Sequence, residues 1–260
     1  MITINILNAN NEVIESDAGE TRAFLACDYE YQPGDKIEFI FDKVNCFYNI
    51  MVDDAVGDEI VYVTDKILFT VPFEEKKVCY SPRAFTGTKQ LITARPARAD
   101  EIEGYRLLSR NRMDQHEFAG NYPHASANVE TRGESVFAAR NAIDGIYIND
   151  SHGEWPYGSW GINQDPNAIW HLDFGRDVIV DKVVIFERAD FPHDAWWNEL
   201  TVSFSDGSSE VLKAIKTEDG QEFTFAERKI NGLSLEKLIK ADDPSPFPAL
   251  CQIEVFGHEA

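Results

Sequence analysis

The chain has 260 residues, of which 43% are hydrophobic and 12% aromatic, enough to bury the core of one or two domains. Its 45 acidic residues outnumber its 24 lysines and arginines, for a formal net charge of -21. Nucleic acids and anionic membrane surfaces attract basic proteins, so this charge argues against both partners, and against strongly anionic polysaccharides unless a local basic pocket overrides the field.

The pattern of the first hundred residues predicts short β-strands. Apolar residues alternate with polar ones over Ile2–Ile6 and again over Ile37–Phe41, which places one apolar face on each strand. Three further apolar segments follow the same trend: Val44–Val52, Ile60–Val63 and Ile67–Val71. Strands at roughly ten-residue spacing, separated by turn residues, predict a β-sandwich domain over residues 1–97.

A change of composition marks the end of this domain. Basic residues and a proline interrupt the pattern near Thr93–Asp100, and Glu101–His116 then offers about one helical turn. We predict a linker over residues 98–120. It should pack on the domains, because Tyr105 and its apolar neighbours would otherwise be exposed.

A second series of apolar segments begins at Asn121. The turn Asn141–Gly145 and the long loop Ile146–Asn167 come first. The predicted strands are Ala168–Phe174, Val178–Arg188, Leu200–Ser205, Val211–Ile215, Gln221–Phe225, Ile230–Leu235 and Leu250–Phe256. A count of about eight strands joined by short turns predicts a jelly-roll sandwich over residues 121–260, so the expected fold class is all-β with two sandwich domains.

Four segments of this second half carry a family resemblance. They are Asn141-Ala-Ile-Asp-Gly145 with the loop to Trp160, Ile169-Trp-His-Leu-Asp-Phe-Gly175, Val180–Arg188 followed by Val202–Gly207, and Gln252-Ile-Glu-Val-Phe-Gly257. In this order they resemble the discoidin domain, also called the coagulation factor 5/8 C-terminal or galactose-binding-like domain, which includes family-32 carbohydrate-binding modules. The resemblance covers about residues 121–258. It implies a rigid sandwich with ligand-binding loops at one end and a carbohydrate ligand; the first half resembles no family in this way.

The same resemblance bears on calcium. Many members of the family hold a structural calcium ion near the Asp-Gly turn, which implies Asp144 as a metal ligand. Gln252 stands where the family has a glutamate, and no threonine follows the turn. Calcium affinity falls as the charge of its oxygen ligands falls. The resemblance therefore implies at most one calcium ion, and the alternative is that Asp144 only caps the turn.

Two loops combine aromatic rings with polar groups, Ser151–Trp160 and Arg188–Trp197, and a third loop adds Phe247. A sugar ring has an apolar C–H face and a rim of hydroxyls, so proteins bind it with an aromatic plane and polar side chains. We therefore predict glycan binding at one end of the second sandwich. The predicted ligand-binding residues are His152, Trp155, Arg188, Asp190, His193, Trp196, Trp197 and Phe247.

Several of these residues have a structural alternative. Trp160 and Trp170 match scaffold positions of the family and are predicted to lie in the core. Strand alternation predicts that one of Trp196 and Trp197 points inward and the other outward. Arg188 could instead pair with a neighbouring aspartate.

Three functions remain open at this point. The first is a non-catalytic carbohydrate-binding protein. The second is a structural or protein-interaction sandwich, in which the same aromatics pack on the first domain or on a second subunit of a homodimer. The third and weakest is a glycoside-acting enzyme, for which Glu154, Asp190 and Asp194 could supply the two carboxyl groups. His152 and His193 could also bind a transition metal, although no third histidine or cysteine falls in their loops.

The remaining predictions concern the cysteines and the compartment. The N-terminus lacks a basic segment followed by an apolar run, which favours a cytoplasmic protein, with an excised secreted module as the alternative. No CxxC pair is present, and the cysteines are expected to be free thiols among apolar residues. They are Cys27, Cys46, Cys79 and Cys251.

Overall fold

The structure, a computed structural model, describes residues 1–150, 153–189 and 195–260. Its regular secondary structure in these ranges is almost entirely antiparallel β-sheet. The predicted all-β fold with two sandwich domains is confirmed. Short helical turns occur only between strands in this part of the chain: α1 (Ala99–Ile102) and four 3-10 turns at Glu74–Lys77, Thr131–Gly133, Ser135–Phe137 and Ala139–Ile143.

The first sandwich consists of a four-stranded and a five-stranded sheet. Its strands are β1 (Ile2–Leu7), β2 (Val13–Gly19), β3 (Ala23–Asp28), β4 (Lys36–Phe41), β5 (Cys46–Met51), β6 (Asp58–Val63), β7 (Ile67–Thr70) and β8 (Lys89–Pro96). The first sheet has the order β2-β1-β4-β7, and β6-β5-β8-β3 form most of the second.

The core of this sandwich follows from the alternation in its sequence. Ile4 of β1 pairs with Phe39 of β4, and both side chains are fully buried between the sheets. The sequence pattern did not predict β2 or β8. The reason is that β2 is a largely exposed edge strand with no apolar face, and β8 buries Gln90 and Ala94 as well as Ile92.

The segment between the sandwiches contributes strands to both. β9 (Arg106–Leu107) pairs with the last strand of the second sandwich. β10 (Asn121–Tyr122) then pairs with β6 of the first, and β11 (His124–Ala127) pairs with the second again. Two short strands on either side of Pro123 therefore belong to different sheets, which ties the two sandwiches together at this point.

Buried polar groups hold this crossing in place. The Asn111 side-chain amide donates to Asn121 Oδ1 at 2.6 Å and to the Pro123 carbonyl at 2.8 Å. The Asp114 carboxylate accepts a hydrogen bond from the Ala125 backbone N–H at 2.9 Å. Because each of these bonds links the linker to the segment that crosses from one sandwich to the other, specific contacts order the junction.

The second sandwich is built on long, bent strands. They are β12 (Trp160–Gly161), β13 (Trp170–Glu187), β14 (Trp197–Phe204), β15 (Ser209–Lys213), β16 (Gln221–Lys240) and β17 (Ala249–Glu259), paired in the order β12-β17-β13-β16-β14-β15. Two of these strands each join a pair that was predicted as separate. β13 joins the predicted strands Ala168–Phe174 and Val178–Arg188, and β16 joins Gln221–Phe225 and Ile230–Leu235. Register shifts in β13 after Asp173 and after Val180 mark irregularities at which a long strand can bend around the core.

The tryptophans predicted to be scaffold are in that core. Trp160 and Trp170 are fully buried. Each indole N–H donates to a backbone carbonyl, of Val129 at 2.9 Å and of Ala139 at 3.0 Å. This satisfies the polar end of each ring.

Cys79 and Cys251 are buried, and Cys27 and Cys46 are half-buried. Over the described ranges, no helix has the length and apolar character needed to cross a lipid bilayer.

Candidate functional site

A pocket of about 160 Å³ lies where four loops of the second sandwich meet, and we call it the loop pocket. Its walls come from the 3-10 turns before β12, from the loop after β12, from the residue after β13 and from the loop before β17. The lining residues are Thr131, Arg132, Phe137, Gly161, Ile162, Asn163, Gln164, Arg188, Phe247, Pro248 and Ala249.

Arg188 provides a fixed cation in this wall. Its side chain is only 2% exposed, and its backbone N–H donates to the Ala249 carbonyl at 2.8 Å. Nη1 donates to the Tyr157 carbonyl at 3.0 Å, and the guanidinium lies 5.5 Å from the Tyr157 ring centre. These contacts fix the orientation of the guanidinium in the pocket wall.

The residue before Arg188 is a buried acid that orders the same strand end. The Glu187 carboxylate accepts hydrogen bonds from the Trp197 backbone N–H at 2.7 Å and from Gln221 Nε2 at 3.3 Å. Burial raises the pKa of Glu187 to about 7. Glu187 therefore anchors the beginning of β14 against the end of β13, directly beside the pocket.

Aromatic and polar groups form the rim of the loop pocket. Phe247 is 42% exposed. Arg132, which also lines the pocket, donates two hydrogen bonds of 2.6 Å to the Glu134 carboxylate, and its guanidinium lies 5.5 Å from the Phe137 ring centre. The rim thus combines an accessible aromatic plane with a positioned guanidinium.

Three residues of the pocket wall have a left-handed backbone. The φ angles of Arg132, Asn163 and Gln164 are 53°, 50° and 59°. Non-glycine residues pay a cost of order 1 kcal/mol or more in this region, asparagine least. Such conformations persist where the surroundings enforce them, and they cluster at binding sites.

Gly161 is required by the close approach of two pocket walls. A Cβ atom at this position would lie 2.6 Å from Thr131 Oγ1 and 3.3 Å from Phe137 Cβ. Thr131 Oγ1 also accepts a hydrogen bond from the Asn163 backbone N–H at 2.9 Å. A side chain at position 161 would therefore disturb the contact that shapes the pocket.

The predicted ligand-binding residues do not all gather here. Arg188 and Phe247 share the loop pocket. Trp155 lies in a different cleft, beside Asp144 and Arg112 at the junction of the two sandwiches. His152, Asp190 and His193 lie outside the described residues, as does Asp194.

The two adjacent tryptophans divide as strand alternation predicts. Trp196 is half-buried, with the Lys216 ammonium 5.5 Å from its ring centre. Trp197 is 1% exposed and packs against Trp160, with ring centres 6.4 Å apart. The structure corrects the expectation for Trp197, because its ring lies in the apolar core and Trp197 is not among the described residues that line the loop pocket, whereas Arg188 is.

Among the described residues that line the loop pocket, Arg188 and Phe247 alone were predicted to bind ligand, and the residues that were missed include the three with a left-handed backbone. Arg132, Asn163 and Gln164 lie in segments without an aromatic–polar cluster. Their left-handed backbone follows from the contacts of the loop, and only the Asn163 side chain is of a type enriched there. Local sequence therefore carried no usable signal for the other two.

The surroundings of Asp144 fit a calcium ion poorly. The carboxylate accepts the Ile146 N–H at 2.8 Å, and its other oxygen lies 3.9 Å from the Arg140 guanidinium. Burial raises the pKa of Asp144 to about 6, while Arg140 opposes that rise. Gln252, in place of an acid, accepts the Gly145 N–H at 3.2 Å. An adjacent buried cation and a neutral amide disfavour a divalent ion at this position.

No protein-family model matches the chain, and no curated protein matches it. Solved structures that are similar to it include a mutant of the lectin-binding domain of lectinolysin in complex with Lewis b, with 21% identity over 61% of this chain and 99% of that one, at a TM-score of 0.45. Another is chitosan-binding module 1 of a chitosanase/glucanase from Paenibacillus sp. IK-5, with 17% identity over 58% and 99%, at a TM-score of 0.41.

A third is the family 32 carbohydrate-binding module of NanJ from C. perfringens in complex with galactose, with 14% identity over 59% of this chain and 99% of that one, at a TM-score of 0.41. These are β-sandwich modules that bind carbohydrate. At such identities and TM-scores they assign neither a family nor a ligand to this chain.

Proposed function

We propose that residues 121–260 form a discoidin-type, galactose-binding-like module, and that this protein binds a glycan in the loop pocket without transforming it. The proposal has two independent supports. One is the set of four sequence segments, from Asn141 to Gly257, that resemble the family. The other is the loop pocket itself.

The observation that carries the proposal is the combination of Arg188 and Phe247 in one small pocket. Arg188 brings a guanidinium, a group that hydrogen-bonds hydroxyl oxygens, to the pocket wall, and the exposed ring of Phe247 offers an apolar face to sugar C–H groups. The two residues are distant in the chain: Arg188 directly follows β13, and Phe247 lies in the loop before β17. Only the fold brings them together.

The volume of the pocket limits the size of the ligand that it can bind. Its volume of about 160 Å³ is roughly half the lower end of the 300–1,000 Å³ range of pockets for drug-sized ligands. We infer that it takes one terminal sugar ring of a glycan rather than an internal stretch of a chain.

The test is a glycan array followed by calorimetric titration of wild type and Phe247→Ala. We expect a saturable interaction with a neutral glycan that weakens at least about tenfold in the variant, because loss of an exposed aromatic plane removes about 1.4 kcal/mol or more. Phe24→Ala is the matched control, since Phe24 is 54% exposed on the first sandwich, and its affinity should equal that of wild type.

Two results would contradict the proposal: absence of binding to every neutral glycan on the array, or equal affinities of Phe247→Ala and wild type. The protein-interaction alternative would be favoured if the array were negative and the Phe247→Ala variant changed its oligomeric state in a sizing experiment.

A further inference from the structure

A second cavity, of about 240 Å³, opens at the junction of the two sandwiches, and we call it the junction cleft. Val56, Tyr80 and Ser81 of the first sandwich form one wall. Arg112 of the linker and Arg140, Asp144 and Trp155 of the second sandwich form the other. Both domains and the linker contribute to the cleft. It is separate from the loop pocket, because none of the described residues lines both.

Arg140 places a permanent cation at the base of the cleft. Nε donates to the Asp114 carbonyl at 2.7 Å, and Nη2 donates to the Arg112 carbonyl at 3.1 Å. The guanidinium lies 4.7 Å from the Tyr80 ring centre, a cation–π contact. These bonds orient the group and tie the linker to the second sandwich.

Arg112 brings a second guanidinium to the same cleft, and this one is accessible. Its side chain is 35% exposed, and Nε lies 3.9 Å from Glu59. Glu59 is bound more closely by Arg110, whose Nε donates to it at 2.8 Å. Because Arg110 is the nearer partner of the Glu59 carboxylate, Glu59 compensates the charge of Arg112 only weakly.

The charges that line the cleft leave a small positive excess. Arg112 and Arg140 face one carboxylate, Asp144, which also accepts the Ile146 N–H. In a chain of net charge -21 this is a local reversal of sign, and it favours a monoanion. A guanidinium binds a carboxylate through two parallel hydrogen bonds. A phosphate ester, with a charge of about -1.5 to -2, exceeds what the cleft can compensate.

Trp155 completes the arrangement with an aromatic plane. It is 36% exposed at the edge of the cleft, so part of the indole is available to pack against an apolar face. A ligand that offers both a carboxylate and the C–H face of a sugar ring would use Arg112 and Trp155 at once.

We propose that the junction cleft is a second binding site, specific for a sugar acid of the hexuronate type, with the carboxylate on Arg112 and the sugar ring against Trp155. The ligand is either the free acid or the terminal uronic acid of a glycan. The site is independent of glycan binding in the loop pocket.

The test is titration of the full chain with glucuronate and with methyl glucuronide, followed by calorimetry and by tryptophan fluorescence. We expect saturable binding of glucuronate that glucose, acetate and glucose 6-phosphate do not match at equal concentration. Binding of methyl glucuronide as well would indicate a glycan terminus, and binding of the free acid alone would indicate a free sugar acid.

Arg112→Gln and Trp155→Ala should each weaken glucuronate at least about tenfold, with Arg112→Lys intermediate because it keeps the charge and loses the paired geometry. Arg98→Gln, an exposed linker arginine outside the cleft, should bind like wild type. Phe247→Ala should also keep full glucuronate affinity, which separates this site from the loop pocket. Melting curves of all variants check that each is folded.

The proposal is overturned if glucuronate shows no saturable binding at millimolar concentrations. It is also overturned if folded Arg112→Gln or Trp155→Ala binds like wild type, or if acetate competes as well as glucuronate does.

Discussion

Adjacent residues at the end of β13 have very different partners. Arg188 is held by backbone carbonyls and an aromatic ring, whereas the buried Glu187 accepts hydrogen bonds from a backbone N–H and a side-chain amide of the described residues. Desolvation opposes the ionised form of such a carboxyl group. The charge state of Glu187 is therefore linked to the stability of the strand end that carries Arg188.

This linkage predicts a pH dependence. The folded-state pKa of Glu187 is about 7, above the ordinary value of 4.5, so the folded protein binds this proton more tightly than the unfolded chain. Its contribution to the free energy of unfolding is fully present below pH 4.5 and is lost as the pH rises from there through 7. In wild type this linkage lowers the free energy of unfolding by on the order of 2 kcal/mol between pH 5 and pH 8. We expect that decrease to be absent in Glu187→Gln.

Urea denaturation of wild type and variant at the two pH values measures this. Glu20→Gln, at an exposed acid, should retain the slope of wild type. Equal pH dependence of Glu187→Gln and wild type would contradict the prediction.

At the scale of strands and loops, the loop pocket depends on two close approaches. The short strand β12 brings Gly161 against Thr131, and β17 brings Ala249 to the end of β13, where the Arg188 N–H binds its carbonyl. Bulges in β13 allow one strand to reach from the far end of the sandwich to this edge. The pocket is therefore a property of the packing of these elements and not of one loop.

Gly161→Ala tests this dependence. The added Cβ collides with Thr131 Oγ1, so we expect a loss of about 1–3 kcal/mol of stability and a parallel loss of glycan affinity. Gly158→Ala, just before β12, is the matched control, because its Cβ would lie 3.4 Å from the nearest atom, Asn141 Cγ. Denaturation and titration of both variants measure the effect. Retention of wild-type affinity by Gly161→Ala would show that the approach does not shape the site.

At the scale of the whole molecule, the two sandwiches share part of a core. Val136, in a 3-10 turn of the second half, is buried within the apolar cluster of the first sandwich. Beside it, the Ser135 N–H and hydroxyl donate to the side chain and backbone carbonyl of Glu75, both at 2.6 Å. Such contacts predict that the domains unfold together.

Val136→Ala should therefore lower the stability of the whole chain by about 1–2 kcal/mol, the cost of two lost methyl groups. We expect a single calorimetric transition that shifts as one. Val211→Ala, at an exposed position on β15, should leave the transition unchanged. Two separate transitions, only one of which responds to Val136→Ala, would contradict shared unfolding.

Much of this architecture could be predicted from local sequence. Alternation of apolar residues identified β1 and β4, because a strand with one buried face requires it. The four family segments predicted the second sandwich, and the aromatic–polar composition of its loops selected Arg188 and Phe247. These signals are local: each depends on residues within one strand or one loop.

The grouping of the loops depended on the tertiary structure. Trp155 was expected beside Arg188 and instead lies with Arg112 at the domain junction, while Trp197 points into the core. Arg132 and Gln164 joined the loop pocket without any sequence signal. The physical reason is that strand periodicity is set by neighbours in the chain. Which loops meet is set by bulges, strand order and domain contacts between residues far apart in the sequence.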